Sequence, residues 1–274
     1  MENGKYKRLK EILVGMGSVL VAYSGGTDST LVLKVAHDVL GDGAVAMTAV
    51  SASLPAADRI EAETIARQIG AEHLLVESSE TSNSDYLANT PKRCFFCKQE
   101  TYGKLSEYAH QHGLRFIVDG TNADDNGDYR PGREAARRYG VRSPLLEAEL
   151  TKAEVRQLSR ELGLPNWDKP AAACLSSRIP YGTPITLPAL GQIERAESFL
   201  HGLGLRQVRV RHHGPVARIE AEPADLPILL DRRSEVVAAL KAAGYTYVSL
   251  DLAGFRSGSM NDGIQVPPPK ENVW

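Results

Sequence analysis

The stretch that decides the fold is 21-VAYSGGTDSTLVLKVAHDVL-40. An apolar run ends on Ser24, a glycine pair follows, and from Asp28 the apolar residues recur every three or four positions, as on one face of a helix. A strand that turns through two glycines straight into a helix presents consecutive backbone N–H groups at the helix N-terminus. Aligned peptide dipoles favour an anion there. Gly25 and Gly26 let the backbone approach a bulky guest, and Ser24, Thr27 and Ser29 add hydroxyl donors, so a pyrophosphate suits this turn. No G-x-x-x-x-G-K-S/T and no G-x-G-x-x-G after a strand is present, which sets aside a kinase-type P-loop and a dinucleotide fingerprint. The plain alternative is an empty tight turn; four polar residues crowded onto it speak against that.

Outward from this turn, short apolar runs alternate with helical patterns. SVLVAYS (18–24), AVAMTAV (44–50), EHLLVES (72–78) and LRFIVDG (114–120) read as strands, and DSTLVLKVAHDVLG, PAADRIEAETIARQIG and CFFCKQETYGKLSEYAHQHG read as the helices between them. Strands that are apolar on both faces predict an α/β fold with a doubly wound parallel sheet covered by helices. A further helix opens at TKAEVRQLSRELG, where Thr151 and Glu154 have capping-box spacing. From Gly163 to Pro188 five prolines exclude regular helix or central strand, and a domain boundary is placed near the end of that stretch. Residues 1–185 are thus expected to form the sheet domain. Residues 186–274, reading helix–strand–strand–helix–strand, are expected to form a small α+β domain with a loose tail ending PPPKENVW.

Bulk properties narrow the partners. A chain of 274 residues with a net charge of −2 carries no global basic field to gather nucleic acid, so none is expected as a partner. No run approaches the ~18 apolar residues of a membrane span, and the N-terminus lacks an apolar signal segment. An odd count of three cysteines fits a reducing cytoplasm, where thiols act as ligands or reagents.

The hexapeptide SGGTDS resembles the signature of the PP-loop ATP pyrophosphatases. That resemblance implies ATP held by its outer phosphates while a nucleophile attacks the α-phosphorus, with Asp28 positioning phosphate or magnesium. A second match, 119-DGTNADD-125, follows the fourth strand. Ligands of a doubly wound sheet lie beyond the carboxyl ends of its strands, so Gly120, Thr121 and Asn122 are expected in the same cleft. Asp124 and Asp125 are candidate magnesium ligands. Taken alone, GTNADD also reads as a solvated turn.

Cys94 and Cys97 in RCFFCK share a helix face, and Cys174 lies in KPAAACLSSRIPYG. Three readings are open. His110 or His112 completes a zinc site; the thiols are inert; or the three cysteines hold a [4Fe–4S] cluster with one iron lacking a protein ligand.

Taken with VRVRHHG and LDLAGFRSGSMN, these motifs are similar over nearly the whole chain to the ATP-dependent sulfur transferases of nickel-pincer nucleotide cofactor biosynthesis (LarE), which serve lactate racemase maturation. The resemblance implies a carboxylated pyridinium mononucleotide as substrate, activated as an acyl-adenylate and attacked by sulfur from sulfide or another donor. It further implies a homo-oligomer, trimer or hexamer. Members with one cysteine at the position of Cys174 sacrifice it; with the added C-x-x-C this chain resembles the cluster type, the sacrificial use of Cys174 alone being the alternative. Arg178, four residues on, is a candidate to activate the Cys174 thiol. Arg209 and Arg211 alternate along a strand and suit a phosphate. Glu194, Glu197, Glu220 and Glu222 read as surface glutamates in preference to metal or subunit-interface carboxylates, and Trp167 as a loop anchor. The rival readings are a tRNA-thiolating PP-loop enzyme, an amide-forming ligase using ammonia, and a non-catalytic nucleotide sensor with structural zinc.

Overall fold

In chain order the first elements are helix α1 (Gly4–Met16), strand β1 (Val19–Ala22), α2 (Thr27–Leu40), β2 (Ala44–Val50), α3 (Ala56–Ile69), β3 (Glu72–Glu77), a short α4 (Ser84–Leu87) and α5 (Arg93–Gln111). There follow β4 (Phe116–Val118), α6 (Gly132–Arg138), α7 (Pro144–Glu147), α8 (Lys152–Glu161), α9 (Leu187–Gly202), β5 (Val208–His213), β6 (Val216–Ala221), α10 (Leu226–Asp231), α11 (Arg233–Ala242) and β7 (Tyr247–Leu250). The structure is a computed structural model and describes residues 4–127, 132–170, 172–256 and 258–259; the tail PPPKENVW lies outside them.

Two units are present. The first takes residues up to Glu80 together with Lys92–Ala172; the second takes Thr81–Pro91 and the chain from Ala173 onward. The proline-rich stretch is therefore divided at 172/173 instead of ending the first unit near 185, and Cys174 goes with the second. The insertion at 81–91 is tied there by Asn89, whose amide donates to the carbonyls of Ile179, Pro180 and Thr183 within 3.2 Å.

The first unit is built on a parallel sheet of order β3-β2-β1-β4. Successive side chains of a strand point to opposite faces, and β1 shows it. Val19 and Val21 pack with Leu9, Leu13 and Met16 of α1, Leu31 and Val35 of α2 and Val155 of α8, while Leu20 packs with Tyr102 and Leu105 of α5 and Ala135 of α6. Both faces are covered, as the apolar runs require, and truncating a buried residue such as Leu20 to alanine costs about 2–5 kcal/mol. The α8 capping box forms with both of its bonds, Thr151 to the Glu154 backbone and Glu154 back to Thr151.

Because β1 lies between β2 and β4, chain direction across the sheet reverses at β1. The segments leaving the carboxyl ends of β1 and β4 therefore adjoin at a switch point, where ligands of such sheets bind.

In the second unit a three-stranded sheet of order β5-β6-β7, antiparallel then parallel, packs its apolar side on α9 and α11 through Leu200, Val208, Val210, Ile219 and Leu240. Among the described residues no helix is long and apolar enough to cross a membrane.

Candidate active site

The glycine turn follows β1 directly. Gly25 has φ +69°, a left-handed conformation that disfavours any side chain, and Gly26 caps α2 in an extended conformation with no side-chain cap. The first N–H groups of α2 are thus not taken by a capping side chain. Ser24 and Ser29 hold the turn itself: their hydroxyls are 3.1 Å apart, and Ser29 Oγ donates to the Gly26 carbonyl at 3.2 Å. The hydroxyl of Thr27 does not face outward as a donor to a guest. It is buried and donates to the Asn166 carbonyl at 2.7 Å, leaving Thr27 its backbone N–H for an anion.

Gly120, beyond β4, presses on this turn. A Cβ at Gly120 would fall 2.7 Å from the Ser29 nitrogen and 3.1 Å from Cβ of Asp28, so only glycine lets the two segments touch. Asn122 closes the gap by donating its side-chain N–H to Asp28 Oδ1 at 3.0 Å. Burial raises the Asp28 carboxyl above the ordinary aspartate range; Asn122 and Lys152 pull it back, and Asp125 pushes it further up. A carboxylate held partly desolvated in this way is ready for a cation.

The other acids are more committed. Asp124 accepts from the Lys152 backbone at 2.8 Å and Asp125 from the Asn122 backbone at 3.1 Å, so both carboxylates shape the turn. Thr121 spends its hydroxyl on Asp119, which also accepts from Ser143 at 2.7 Å and from Tyr102. Among the described residues no group of three or more His, Cys, Asp or Glu gathers to hold a metal. A magnesium ion would find Asp28, with Asp125 beside it, and would take its remaining ligands from phosphate and water.

No disulfide joins the three cysteines. Cys94 and Cys97 lie one turn apart near the start of α5, Cys94 exposed and Cys97 half-buried. His110 and His112 do not complete a zinc site with them. His110 lies thirteen helical steps beyond Cys97, about 20 Å at 1.5 Å per residue, and His112 stacks on Tyr108 at 3.8 Å.

Cys174, in the second unit, precedes a single turn of 3-10 helix, Leu175–Arg178. Arg178 is buried and its charge is answered by Glu197, both of whose oxygens it meets, at 2.9 and 2.8 Å. Its remaining nitrogen donates to the carbonyls of Ala173 and Cys174 at 2.5 and 2.9 Å. Arg178 therefore fixes the backbone that carries Cys174, and the carboxylate of Glu197 neutralises the guanidinium proposed to activate the thiol.

Arg209 and Arg211 are both buried on β5. Arg211 meets Glu220 at 2.7 Å, the Ser177 carbonyl at 3.0 Å and Ser259 Oγ at 2.8 Å; Arg209 lies 5.5 Å from the Phe255 ring centroid. Glu220 also takes Arg218 at 2.9 Å, which relieves the like charges of Arg211 and Arg218 paired directly across β5 and β6. Glu197 and Glu220 are accordingly not surface glutamates: they are 4% and 1% exposed, because each answers a buried arginine. Trp167 stacks under Arg160 at 5.1 Å, anchoring its loop. Its neighbour Asn166, unremarked in the sequence, bonds to the glycine turn at three points.

A doubly wound parallel sheet, a glycine turn at a helix N-terminus and a partnered aspartate at the switch point define a PP-loop nucleotide-binding α/β enzyme. No family model matches the chain. It is 41% identical over 261 residues, 95% of each chain, to pyridinium-3,5-bisthiocarboxylic acid mononucleotide synthase of Lactiplantibacillus plantarum. It is also 47% identical over 263 residues to an uncharacterized protein of Synechocystis, covering 95% of this chain and 98% of that one. A more distant relative is the tRNA-specific 2-thiouridylase MnmA of Xanthobacter autotrophicus, 27% identical over 56% of this chain and 49% of that enzyme. The chain belongs to the pyridinium-3,5-bisthiocarboxylic acid mononucleotide synthase family and is an ATP-dependent sulfur transferase.

Proposed function

We propose that the protein converts the carboxylates of pyridinium-3,5-biscarboxylic acid mononucleotide to thiocarboxylates, in the nickel-pincer nucleotide route that matures lactate racemase. The observation that carries this is the 41% identity to the synthase over 95% of both chains, joined to a turn that suits a pyrophosphate. The half-length similarity to the thiouridylase supports only the shared nucleotide chemistry.

A free carboxylate is inert to sulfide because oxide is a poor leaving group. Its oxygen therefore attacks the α-phosphorus of ATP, pyrophosphate departs, and an acyl-adenylate forms. A sulfur nucleophile then adds to the acyl carbon, AMP leaves with the C–O bond electrons, and a thiocarboxylate remains. The turn Ser24–Ser29 holds the outer phosphates with backbone N–H groups, Asp28 would hold a magnesium ion that screens their charge, and Gly120, Thr121 and Asn122 border the same cleft. Arg211, expected from the sequence to meet the substrate's phosphate, instead spends its nitrogens on Glu220, Ser177 and Ser259 and acts as a structural arginine. The protein works in the cytoplasm as a homo-oligomer, with sulfide or another sulfur donor.

For the sulfur, three cysteines outside any disulfide suit a [4Fe–4S] cluster by donor chemistry, with Cys94, Cys97 and Cys174 as the thiolates. Such a cluster, when bound, supplies an iron without a protein ligand that can carry an extra sulfide. In the sacrificial alternative Cys174 gives its own sulfur and becomes dehydroalanine; the bond from Arg178 to the Cys174 carbonyl serves either route by fixing that residue.

Anaerobic purification with iron and sulfide, and intact mass before and after turnover, decides between them. About four irons per chain, an unchanged polypeptide mass and several products per enzyme are the expected result. Loss of the elements of hydrogen sulfide from Cys174, with Cys94→Ser fully active, would overturn the cluster route. Failure to release AMP with thiolated product would overturn the function itself.

A further inference from the structure

Asn166 is 2% exposed, and its contacts are unusual for an asparagine in a loop. Its side-chain NH2 donates to the carbonyl of Gly25 at 3.0 Å and to Thr30 Oγ1 at 2.9 Å, and its own carbonyl accepts from Thr27 Oγ1 at 2.7 Å. The amide orientation is fixed, because only a nitrogen can face the Gly25 carbonyl. Its Oδ1, by contrast, is buried with no hydrogen-bond partner among the described residues. An orphaned buried acceptor costs about 1–3 kcal/mol, so an apolar residue would serve packing better. What the amide offers in return is its grip on one carbonyl.

That carbonyl matters because of peptide geometry. In a planar trans peptide the C=O of one residue and the N–H of the next point in opposite directions. Holding the Gly25 carbonyl against buried Asn166 turns the Gly26 N–H the other way. On that side lies the exposed residue Ser24, to whose Oγ the Gly26 N–H donates at a long 3.4 Å, a weak bond that a phosphate oxygen would replace. Gly25 is the residue whose lack of Cβ gives this peptide freedom to rotate; unrestrained, the unit can flip and present its carbonyl oxygen to the site. A donor would become an acceptor facing an anion.

We propose that Asn166 is a positioning residue that locks the Gly25–Gly26 peptide in its donor-outward orientation, so that the turn is selective for pyrophosphate groups. The lock has its own supports. Lys169, three residues on, bonds Asp58 at 2.8 Å and Glu61 at 2.6 Å on α3, and Arg156 holds the Lys169 carbonyl at 3.2 Å. The turn carrying Asn166 is thus stapled to the helix against which Gly25 packs. This inference rests on the nucleotide reading above and assigns a role within it to a residue far away in sequence.

The test compares ligands that differ in the outer phosphates. Dissociation constants for ATP, inorganic pyrophosphate and AMP are measured by calorimetry on the full chain and on Asn166→Ala, Asn166→Asp and Thr27→Val. Losing an aligned donor to a charged oxygen weakens ATP and pyrophosphate by roughly 10- to 100-fold in Asn166→Ala, and AMP by less than about 3-fold. Asn166→Asp is worse than Asn166→Ala, because a carboxylate repels the Gly25 carbonyl and favours the flip. Thr27→Val keeps the amide and a near-isosteric side chain, so it tests the tether in a folded protein whatever Asn166→Ala does; it shows the same selectivity with a loss of a few-fold. Equal losses for ATP and AMP, or Asn166→Asp binding pyrophosphate as well as the unsubstituted chain, overturn the lock while leaving the nucleotide site standing. Absence of ATP binding by the unsubstituted chain overturns both.

Discussion

A Cβ placed on Gly25 would lie 2.7 Å from Cβ of Ala62 on α3. Two constraints therefore meet at one residue: a left-handed backbone at φ +69°, and a helix packed too close for a methyl group. The left-handed conformation alone costs a non-glycine residue about 1–2 kcal/mol. Gly25→Ala is expected to lower stability by about 2–4 kcal/mol and to weaken ATP by more than about 10-fold. Gly25→Ala with Ala62→Gly removes the 2.7 Å contact but leaves the Cα of residue 62 at 3.1 Å and keeps the backbone strain, so urea unfolding should show partial recovery. Full recovery in the double variant would mean that the left-handed turn is not required.

Asp28 shows function set against stability. Its carboxyl is raised chiefly by burial, so the folded state binds its proton more tightly than the unfolded chain does. Where the native state holds more protons, stability falls as pH rises, from the ordinary aspartate value up through the raised one. At neutral pH the ionised side chain is therefore a liability to the ligand-free fold. Asp28→Asn, which keeps an oxygen for Asn122, is expected to melt on the order of 1–3 °C higher than the parent without nucleotide. The same variant should lose magnesium-dependent adenylation by about 100-fold or more. A lower melting temperature with retained activity would refute both halves.

The four strands of the first unit and the helices between them are legible because each buries a continuous or strictly periodic apolar face, a property written in neighbouring residues. The glycine turn and Gly120 are legible for a related reason, since close approach demands glycine wherever it occurs. Long-range pairing is different. Glu197 and Glu220 read as surface acids because nothing near them in sequence announces Arg178 or Arg211, 19 and 9 residues away. Asn166 bonds residues 136 to 141 positions earlier, so no local pattern reports its role. The insertion at 81–91 escapes for the same reason: its ties to the second unit, from Asn89 to Ile179, Pro180 and Thr183 and from Tyr86 to Ser176, span about 90 residues. Helix α1 has no counterpart in the sequence reading, although Leu9, Leu13 and Met16 fall at the i, i+4, i+7 spacing of one helix face.

Arg178 and Glu197 form a buried, two-pronged ion pair at 3% and 6% side-chain exposure. Removing one partner strands the other without solvent, which typically costs about 3–5 kcal/mol, whereas removing both leaves only a packing defect. Glu197 also accepts the Val210 backbone N–H at 2.8 Å, so its loss harms β5 as well. Arg178→Met and Glu197→Leu are each expected to destabilise by about 3–5 kcal/mol, and the double variant by less than their sum, by about 2 kcal/mol or more. Alkylation of Cys174 by iodoacetamide should quicken in both single variants as its backbone loosens. Strict additivity, with unchanged alkylation, would show that the pair neither couples nor positions the cysteine.

His73 on β3 supplies the pH test. Thr48 Oγ1 donates to the Tyr23 carbonyl at 2.8 Å, so the 2.8 Å contact to His73 is made with the ring's Nε2–H as donor, and the ring meets Tyr23 edge-on. Burial lowers the His73 pKa below the ordinary histidine value, against the opposing pull of Glu63. Below about pH 6.5 the unfolded chain takes up a proton that the native site resists, so the unfolded state binds more protons and stability falls with acidification. The contribution is fully present above the unfolded value and is lost as pH drops from there toward the lowered one. The slope from this single group is at most about 1.4 kcal/mol per pH unit. His73→Gln keeps an N–H for Thr48 and removes the titration. Its stability, measured by urea unfolding, should change less between about pH 7.5 and 5.5 than that of the parent chain. Because Tyr23 directly precedes Ser24, the same acidification should weaken ATP binding in the parent more than in His73→Gln. Identical pH profiles for the two proteins would mean that the strand beneath the glycine turn does not sense the charge on this ring.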